Sequence, residues 1–522
     1  MTRSVRRQIV GLTLFWVALI VLVHVLDHRE YHGDVGIVID KSVALVDEGR
    51  LDFEGTDVFI PRQGAGLYIG PLAQIVSALP LLLTRDIHYH YYFFSLLFAL
   101  AVALFYLACR EIRSAGVFKF IATFIFALCF VAHHLILLPD NTALRPLFLA
   151  LYFYLLTRSL RGGPALLVLL WISVGLGLQT NFSLLLLVPV TLVVRPPRTR
   201  VELGWTLAGM ALAAAINFSA IARLLAMLSG GGGGSSLWAG QANASPLSFG
   251  IYWKYLVTWL GVPFLYVLVL PLSILGILAF VEFKKEIWRN WTRLPALGVV
   301  ACWAFAVPLF SVSAALKGKY FNFYYFDSAI VFGAPLAASF LERCFSAEAS
   351  RRRRRIGVAA WGLLVSFYLV LGVSILVLFH AAPPCYPEYC RLNTQIAVAE
   401  RINRTVVDHH LSRIEIADQP YDLHGKTLMR HYSCYYQALC KYIFPDLERR
   451  LAEDRPDKIL HVIVVPDPTK NLRRLVPARP ADAEKLDEFS AGELFVTLYL
   501  TSGEIQELPL MDFRTGEAAP FI

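Results

Sequence analysis

A few carboxylates and lysines carry the chemistry open to this chain. Asp34 stands just ahead of Val35–Val46, where apolar residues recur at roughly helical spacing, and Gly49 follows where such a helix would end. Asp140 and Asn141 lie in the short polar break of LLPDNTAL, between two long apolar runs. Lys317 and Lys319 fall in ALKGKYFNFYYF at the end of another apolar run, and Arg62 lies in the same acidic stretch as Asp34. A carboxylate at a membrane boundary is costly to keep without a task or a partner. Lysines on a side that otherwise lacks basic residues suit an anionic group such as phosphate. The plainer reading of Asp34 and Asp140 is that each caps the helix that follows it.

These residues are positioned by apolar segments of roughly 15–25 residues that recur from Gln8 to Phe379, near the length of a membrane-spanning helix. Every second gap between them is basic: Arg3, Arg6 and Arg7; Arg110, Arg113 and Lys119; Arg158 and Arg161; Arg195, Arg198 and Arg200; Lys284, Lys285, Arg289 and Arg293; Arg351 to Arg355. Short basic loops stay in the cytoplasm. Charge and parity agree for about eleven spans: 8–26, 91–109, 117–138, 142–157, 164–179, 182–195, 203–225, 255–282, 294–314, 322–341 and 356–380. The N-terminus is then inside and everything after His380 outside, with 8–26 a retained first span rather than a cleaved signal.

Two choices carry that count. Residues 66–84 are apolar enough to span, yet counting them would put Arg110 and Arg113 outside, so they read as a re-entrant or interfacial segment. The run 164–195 is broken by Gln179, Thr180 and Asn181, which places two short spans meeting at the outer face. The first outer loop, 27–90, is long and acidic, and its amphipathic stretch would lie on the membrane surface.

Composition agrees with this class: 57% of the 522 residues are hydrophobic and 17% charged. The net charge of +9 sits mostly in inner loops, where it orients spans and meets anionic lipid rather than nucleic acid. Gly230–Gly234 with Ser235 and Ser236 is a flexible outer loop without the Lys and helix of a phosphate-binding loop. Trp238, Tyr252, Trp253 and Trp259 after it suit interface anchoring, or stacking on a sugar ring.

The chain changes character after Pro383 and Pro384. Residues 1–381 form the membrane part and 382–522 a small extracytoplasmic α/β domain, with strands at 413–417, 458–465 and 495–500 and helices at 395–409 and 444–452. His409, His410, His424 and His431 are surface or core residues there, and the domain serves as a lid, packing element or binding module. Cys109, Cys129, Cys302 and Cys344 read as small buried apolar residues. Cys385, Cys390, Cys434 and Cys440, all outside, suggest two disulfides with three connectivities open; a zinc site is the rival, without a histidine pair at ligand spacing.

The first span, the long outer loop with an acid before an amphipathic helix, and a second acid between spans three and four resemble the GT-C superfamily of membrane glycosyltransferases. The likeness is to the branch of lipid A aminoarabinose transferases and protein O-mannosyltransferases. There an Asp-Glu pair precedes a helix, with Gly about fifteen positions on; Asp34 through DKSVALVDEG to Gly49 fits that spacing. Tyr68-Ile69-Gly70-Pro71-Leu72, LLPDNTALRPLFLALYFYLLTR and WISVGLGLQTNFSLLLLVPV look like the following family segments, so the resemblance covers about 8–345. The chain departs from the pattern at Val35, the place of the second acid, which leaves Asp27 or Glu30 to supply another carboxylate.

The resemblance implies a sugar donor linked to polyprenyl phosphate and an acceptor that is a lipid, glycan or protein, and no nucleotide. Such transfer needs a base at the acceptor hydroxyl and cations at the departing phosphate. Asp34 would be the base or the orienting carboxylate, with Asp140 assisting; Lys317, Lys319 and Arg62 would hold the phosphate; Asn141, Tyr68 and Trp238 would contact acceptor or sugar. A monophosphate donor requires no metal, although clustered carboxylates leave room for a divalent one. Two other classes stand beside this one. A transporter or flippase of lipid-linked precursors would use mid-span ionisable groups such as His133 and His134. A non-catalytic envelope scaffold would use the C-terminal domain to bind a partner.

Overall fold

The computed structural model describes, in the main, residues 33–52, 70–132, 142–222, 293–302, 327–381, 391–417, 459–467 and 483–502, with short pieces at 57–59, 67–68, 439–444, 475–477 and 510–512. Long apolar stretches become helices because only intrasegment hydrogen bonding satisfies an apolar backbone. They are α1 (Gly33–Glu48), α2 (Leu72–Leu81), α3 (Ile87–Ile112), α4 (Phe118–Ala132), α5 (Arg145–Ser159), α6 (Ala165–Leu178), α7 (Leu187–Val194), α8 (Arg200–Ile216), α9 (Arg293–Cys302), α10 (Asp327–Cys344), α11 (Arg351–Ala381) and α12 (Leu392–Asp408). Helices α3 to α8, α10 and α11 fall where the sequence predicts spans. The predicted spans 8–26 and 255–282 lie outside the described residues.

Among the described residues α3 is long and apolar enough to cross a membrane by itself, with 26 residues. Helix α2 has only 10 residues and ends in a turn after Pro80. At 1.5 Å per residue it reaches about 15 Å, half a hydrocarbon core. Helix α2 by itself thus covers about half the thickness of a hydrocarbon core. Large apolar side chains face outward along the bundle, among them Leu96, Leu100, Leu169, Leu207, Leu212 and Leu363.

The two ends of the bundle differ in charge. At one end Arg113 pairs with Glu342, Arg158 reaches Glu111 at 3.2 Å, and Arg195 holds Glu202 at 2.6 Å while touching the Ser159 carbonyl. Helix α8 starts there on a Thr199 cap, which accepts from the Glu202 amide. The basic gaps at 110–119, 158–161 and 195–200 thus meet at one end, as their alternation requires. At the other end Asp86 caps α3 and Asn181 caps the tight turn Phe182–Leu186. The polar break at 179–181 is satisfied by backbone there: Gln179 donates to the Ile216 carbonyl and Thr180 to that of Gly177.

Between the ends the core is aromatic, with Phe105 stacked on Phe126 at 4.1 Å and on Phe153 at 5.4 Å. Helices α6 and α8 touch backbone to backbone, since a Cβ on Gly175 would stand 2.8 Å from the Ala213 Cα. Cys109, Cys129, Cys302 and Cys344 are buried free thiols, as expected of small apolar residues. A reporter fused after Ile522 or placed in Gly230–Ser236 is expected outside, and one within Arg351–Arg355 inside. Finding the last two on one side would overturn the predicted topology.

The C-terminal part folds as α12 with a sheet of β3 (Arg413–Ala417), β4 (Ile459–Pro466), β7 (Leu494–Thr501) and β6 (Glu484–Ala491), in that spatial order. Strands β3 and β4 run parallel, and β7 is antiparallel to both β4 and β6. Two-stranded pieces join β1 (Asp57–Phe59) to β2 (Leu67–Tyr68) and β5 (Leu475–Pro477) to β8 (Leu510–Asp512). The helix expected at 444–452 lies outside the described residues beyond Phe444. Strand β6 was not expected: EKLDEFSA carries charge suited to a sheet edge, where it blocks further pairing.

The C-terminal part shares an apolar cluster with the first loop. Val35, Ile39 and Val43 of α1 share a single buried cluster with Ile402 of α12, Tyr442 and Val462 of β4. The apolar stripe of α1 is therefore covered by protein.

Candidate functional site

Helix α1 presents Asp34 in its first turn, since the helix already includes Gly33. Gly49 ends the segment at φ 67°, a conformation that costs glycine nothing. Val35, next to Asp34, is 0% exposed. A second carboxylate at that position would be buried among apolar side chains. On its other side α1 is held to α2: Ser42 Oγ donates to the Gln74 carbonyl at 3.0 Å, and Gln74 Nε2 donates to the Lys41 carbonyl at 2.7 Å.

Beside it, Tyr68 on β2 pairs in register with Asp57, and two residues on Gly70 packs against Gln179 so closely that a Cβ would come within 2.6 Å. The first loop thus rests on the end of α6 that carries the polar break. Gly70 fits because no side chain intervenes.

The sequence reading passed over two residues that the fold brings together. Arg145 opens α5 and Asp327 opens α10, and their side chains form an ion pair at 3.0 Å with 0% and 2% exposure. Arg145 follows Asp140 and Asn141 by less than two helical turns, and Asp327 follows Lys319 closely along the chain. The pair therefore ties together the two helix starts that emerge from the candidate segments, at the end away from the basic loops. A signal was present in the sequence: each is a lone charge beside an apolar run, where a partner is required.

Asp140, Asn141, Lys317, Lys319, Arg62, Trp238, His133 and His134 lie outside the described residues. The side chains of Asp34 and Tyr68 are not described either. Cys385, Cys390 and Cys434 also lie outside, while Cys440, expected in a disulfide, is a free thiol 1% exposed. Its place is in the apolar cluster with Tyr442, where burial pushes the thiol up to about 12. His409 and His410 are exposed, as expected of surface residues. His461, not singled out beforehand, pairs with Glu415 at 3.2 Å across β3 and β4. Among the described residues no three His, Cys, Asp or Glu side chains gather as metal ligands.

No family model matches the chain, and no curated protein matches it. Among solved structures it is similar to ArnT from Cupriavidus metallidurans bound to undecaprenyl phosphate, at 14% identity and a TM-score of 0.47, over 94% of this chain and 98% of that one. The apo state of that protein gives 14% identity and a TM-score of 0.45, over 93% and 98%. The oligosaccharyltransferase of Archaeoglobus fulgidus in the apo form gives 12% and 0.45, over 88% of this chain and 69% of that one.

Proposed function

We propose that this chain is a membrane glycosyltransferase that moves a sugar from a polyprenyl-phosphate donor to an acceptor hydroxyl or phosphate at the outer face of the cytoplasmic membrane. The observation that carries this reading is the buried Arg145–Asp327 pair, which joins the starts of α5 and α10 at the end of the bundle remote from the basic loops. Those helices follow the segments that hold Asp140 and the two lysines, and the Asp34 helix is seated at the same end on α2 and α3. The outward-facing leucines favour a lipid surround, and the sequence resemblance supplies the reaction class.

In this reaction the acceptor oxygen attacks the anomeric carbon, the bond from that carbon to the phosphate oxygen breaks, and polyprenyl phosphate leaves. Asp34 takes the acceptor proton or orients the acceptor, with Asp140 assisting. Lys317, Lys319 and Arg62 neutralise the leaving phosphate, and Asn141, Tyr68 and Trp238 contact acceptor or sugar. A monophosphate leaving group requires no metal, and the clustered carboxylates leave room for a divalent one.

Purified protein given a radiolabelled lipid-linked sugar is expected to move label to an acceptor and release polyprenyl phosphate. Movement of intact donor across vesicles without transfer would favour a flippase, and neither activity would favour a scaffold. Lys317→Ala with Lys319→Ala is expected to weaken donor binding by about tenfold or more, since the lost partner is a phosphate charge. Unchanged donor affinity would remove the lysines from the site.

A further inference from the structure

Among the described residues, His90 brings a polar ring to the apolar cluster that the C-terminal module shares with the bundle. His90, in the first turn of α3, is 0% exposed, and its Nε2 lies 2.7 Å from Ser77 Oγ of α2. The ring meets Tyr442 of the module edge-on, with centroids 5.8 Å apart and planes at 85°. Phe94 stacks on the same ring one turn along, at 5.5 Å. Among the described residues, Nδ1 of His90 and Oη of Tyr442 are both buried without a hydrogen-bond partner. A buried polar atom left unsatisfied opposes folding, so two plain aromatic rings would hold this seam more firmly. The polar rings make the contact directional and weaker than it could be.

From this contact a short path runs to the catalytic helix. Ser77 lies one turn after Gln74 on α2, and Gln74 holds Lys41 and Ser42 of α1 by two hydrogen bonds. Asp34 stands about two turns before Ser42, beside the buried Val35.

We propose that Tyr442, His90 and Ser77 form a latch by which the C-terminal module positions the Asp34 helix for transfer. All three are positioning residues. The latch itself follows from the contacts above, whereas its effect on rate rests on the function proposed for Asp34.

The test uses the full chain, with Cys440 as a native reporter on the module side and substitutions on the bundle side. His90→Ala removes the ring from the latch. Mapped by mass spectrometry, alkylation of Cys440 is expected to rise about tenfold or more, because the module opens more often. The kcat for transfer should fall while the donor KM stays constant, since the phosphate site is untouched. His90→Phe keeps the edge-on ring but loses the Ser77 hydrogen bond, and is expected to restore most of the Cys440 protection and kcat lost in His90→Ala, which loss of folding would not allow. Ser77→Ala, a smaller change, should raise alkylation in the same direction. Cys440 protected as in the parent in both His90→Ala and Ser77→Ala overturns the latch. Cys440 exposed with kcat unchanged overturns its positioning role. If Asp34→Asn proves fully active, the proposed function fails, while the alkylation results still decide whether the latch exists.

Discussion

Asp34→Asn protein is expected to fold and express normally and to lose sugar transfer by about 10²-fold or more. Asparagine keeps the size and hydrogen-bonding reach of aspartate but cannot take a proton at neutral pH. Asparagine also keeps the capping ability of aspartate, so a capping role predicts little loss of fold or activity. Val35 and the stripe it begins hold the helix in place without help from the acid. Stability should therefore separate cleanly from activity. Initial rates with a radiolabelled donor, beside size-exclusion profiles of both proteins, measure the two. Full transfer by the Asn protein at normal expression would end the proposed role.

Arg145→Ala and Asp327→Ala should each destabilise the bundle severely. Their ion pair is buried on both sides, so removing one partner strands a charge in an apolar setting, at a cost of about 3–5 kcal/mol. The double substitution Arg145→Met with Asp327→Leu removes both charges while keeping volume, and is expected to recover most of that loss. Thermal unfolding in detergent, followed by size exclusion, checks this. Parental melting by either single variant would mean that the pair does not hold α5 to α10. If the doubly apolar protein is stable yet binds donor poorly, the pair orients the segments carrying Asp140 and the lysines as well as joining the helices.

The sequence by itself determined the helical segments. Hydropathy runs and alternating arginines are local patterns, and each reports on lipid or water directly. Span 91–109 became α3, span 164–179 became α6, and the stretch after Asp34 became α1, closed by Gly49. Strands at 413–417 and 458–465 were legible from β-branched runs for the same reason.

Only the tertiary structure decided which chemistry is brought together. Arg145 and Asp327 are far apart along the chain, and nothing in either neighbourhood names the other; they meet because α5 and α10 run side by side. Strand β6 escaped notice because its charged alternation makes sense only at the edge of a sheet whose centre is β7. The stripe of α1 is equally amphipathic whether lipid or protein covers it, and the fold buries it in one cluster with residues of α2, α3 and the C-terminal module. Periodicity tells a helix which face to bury. What buries it depends on long-range packing, and here that packing connects the last part of the chain to the helix of Asp34.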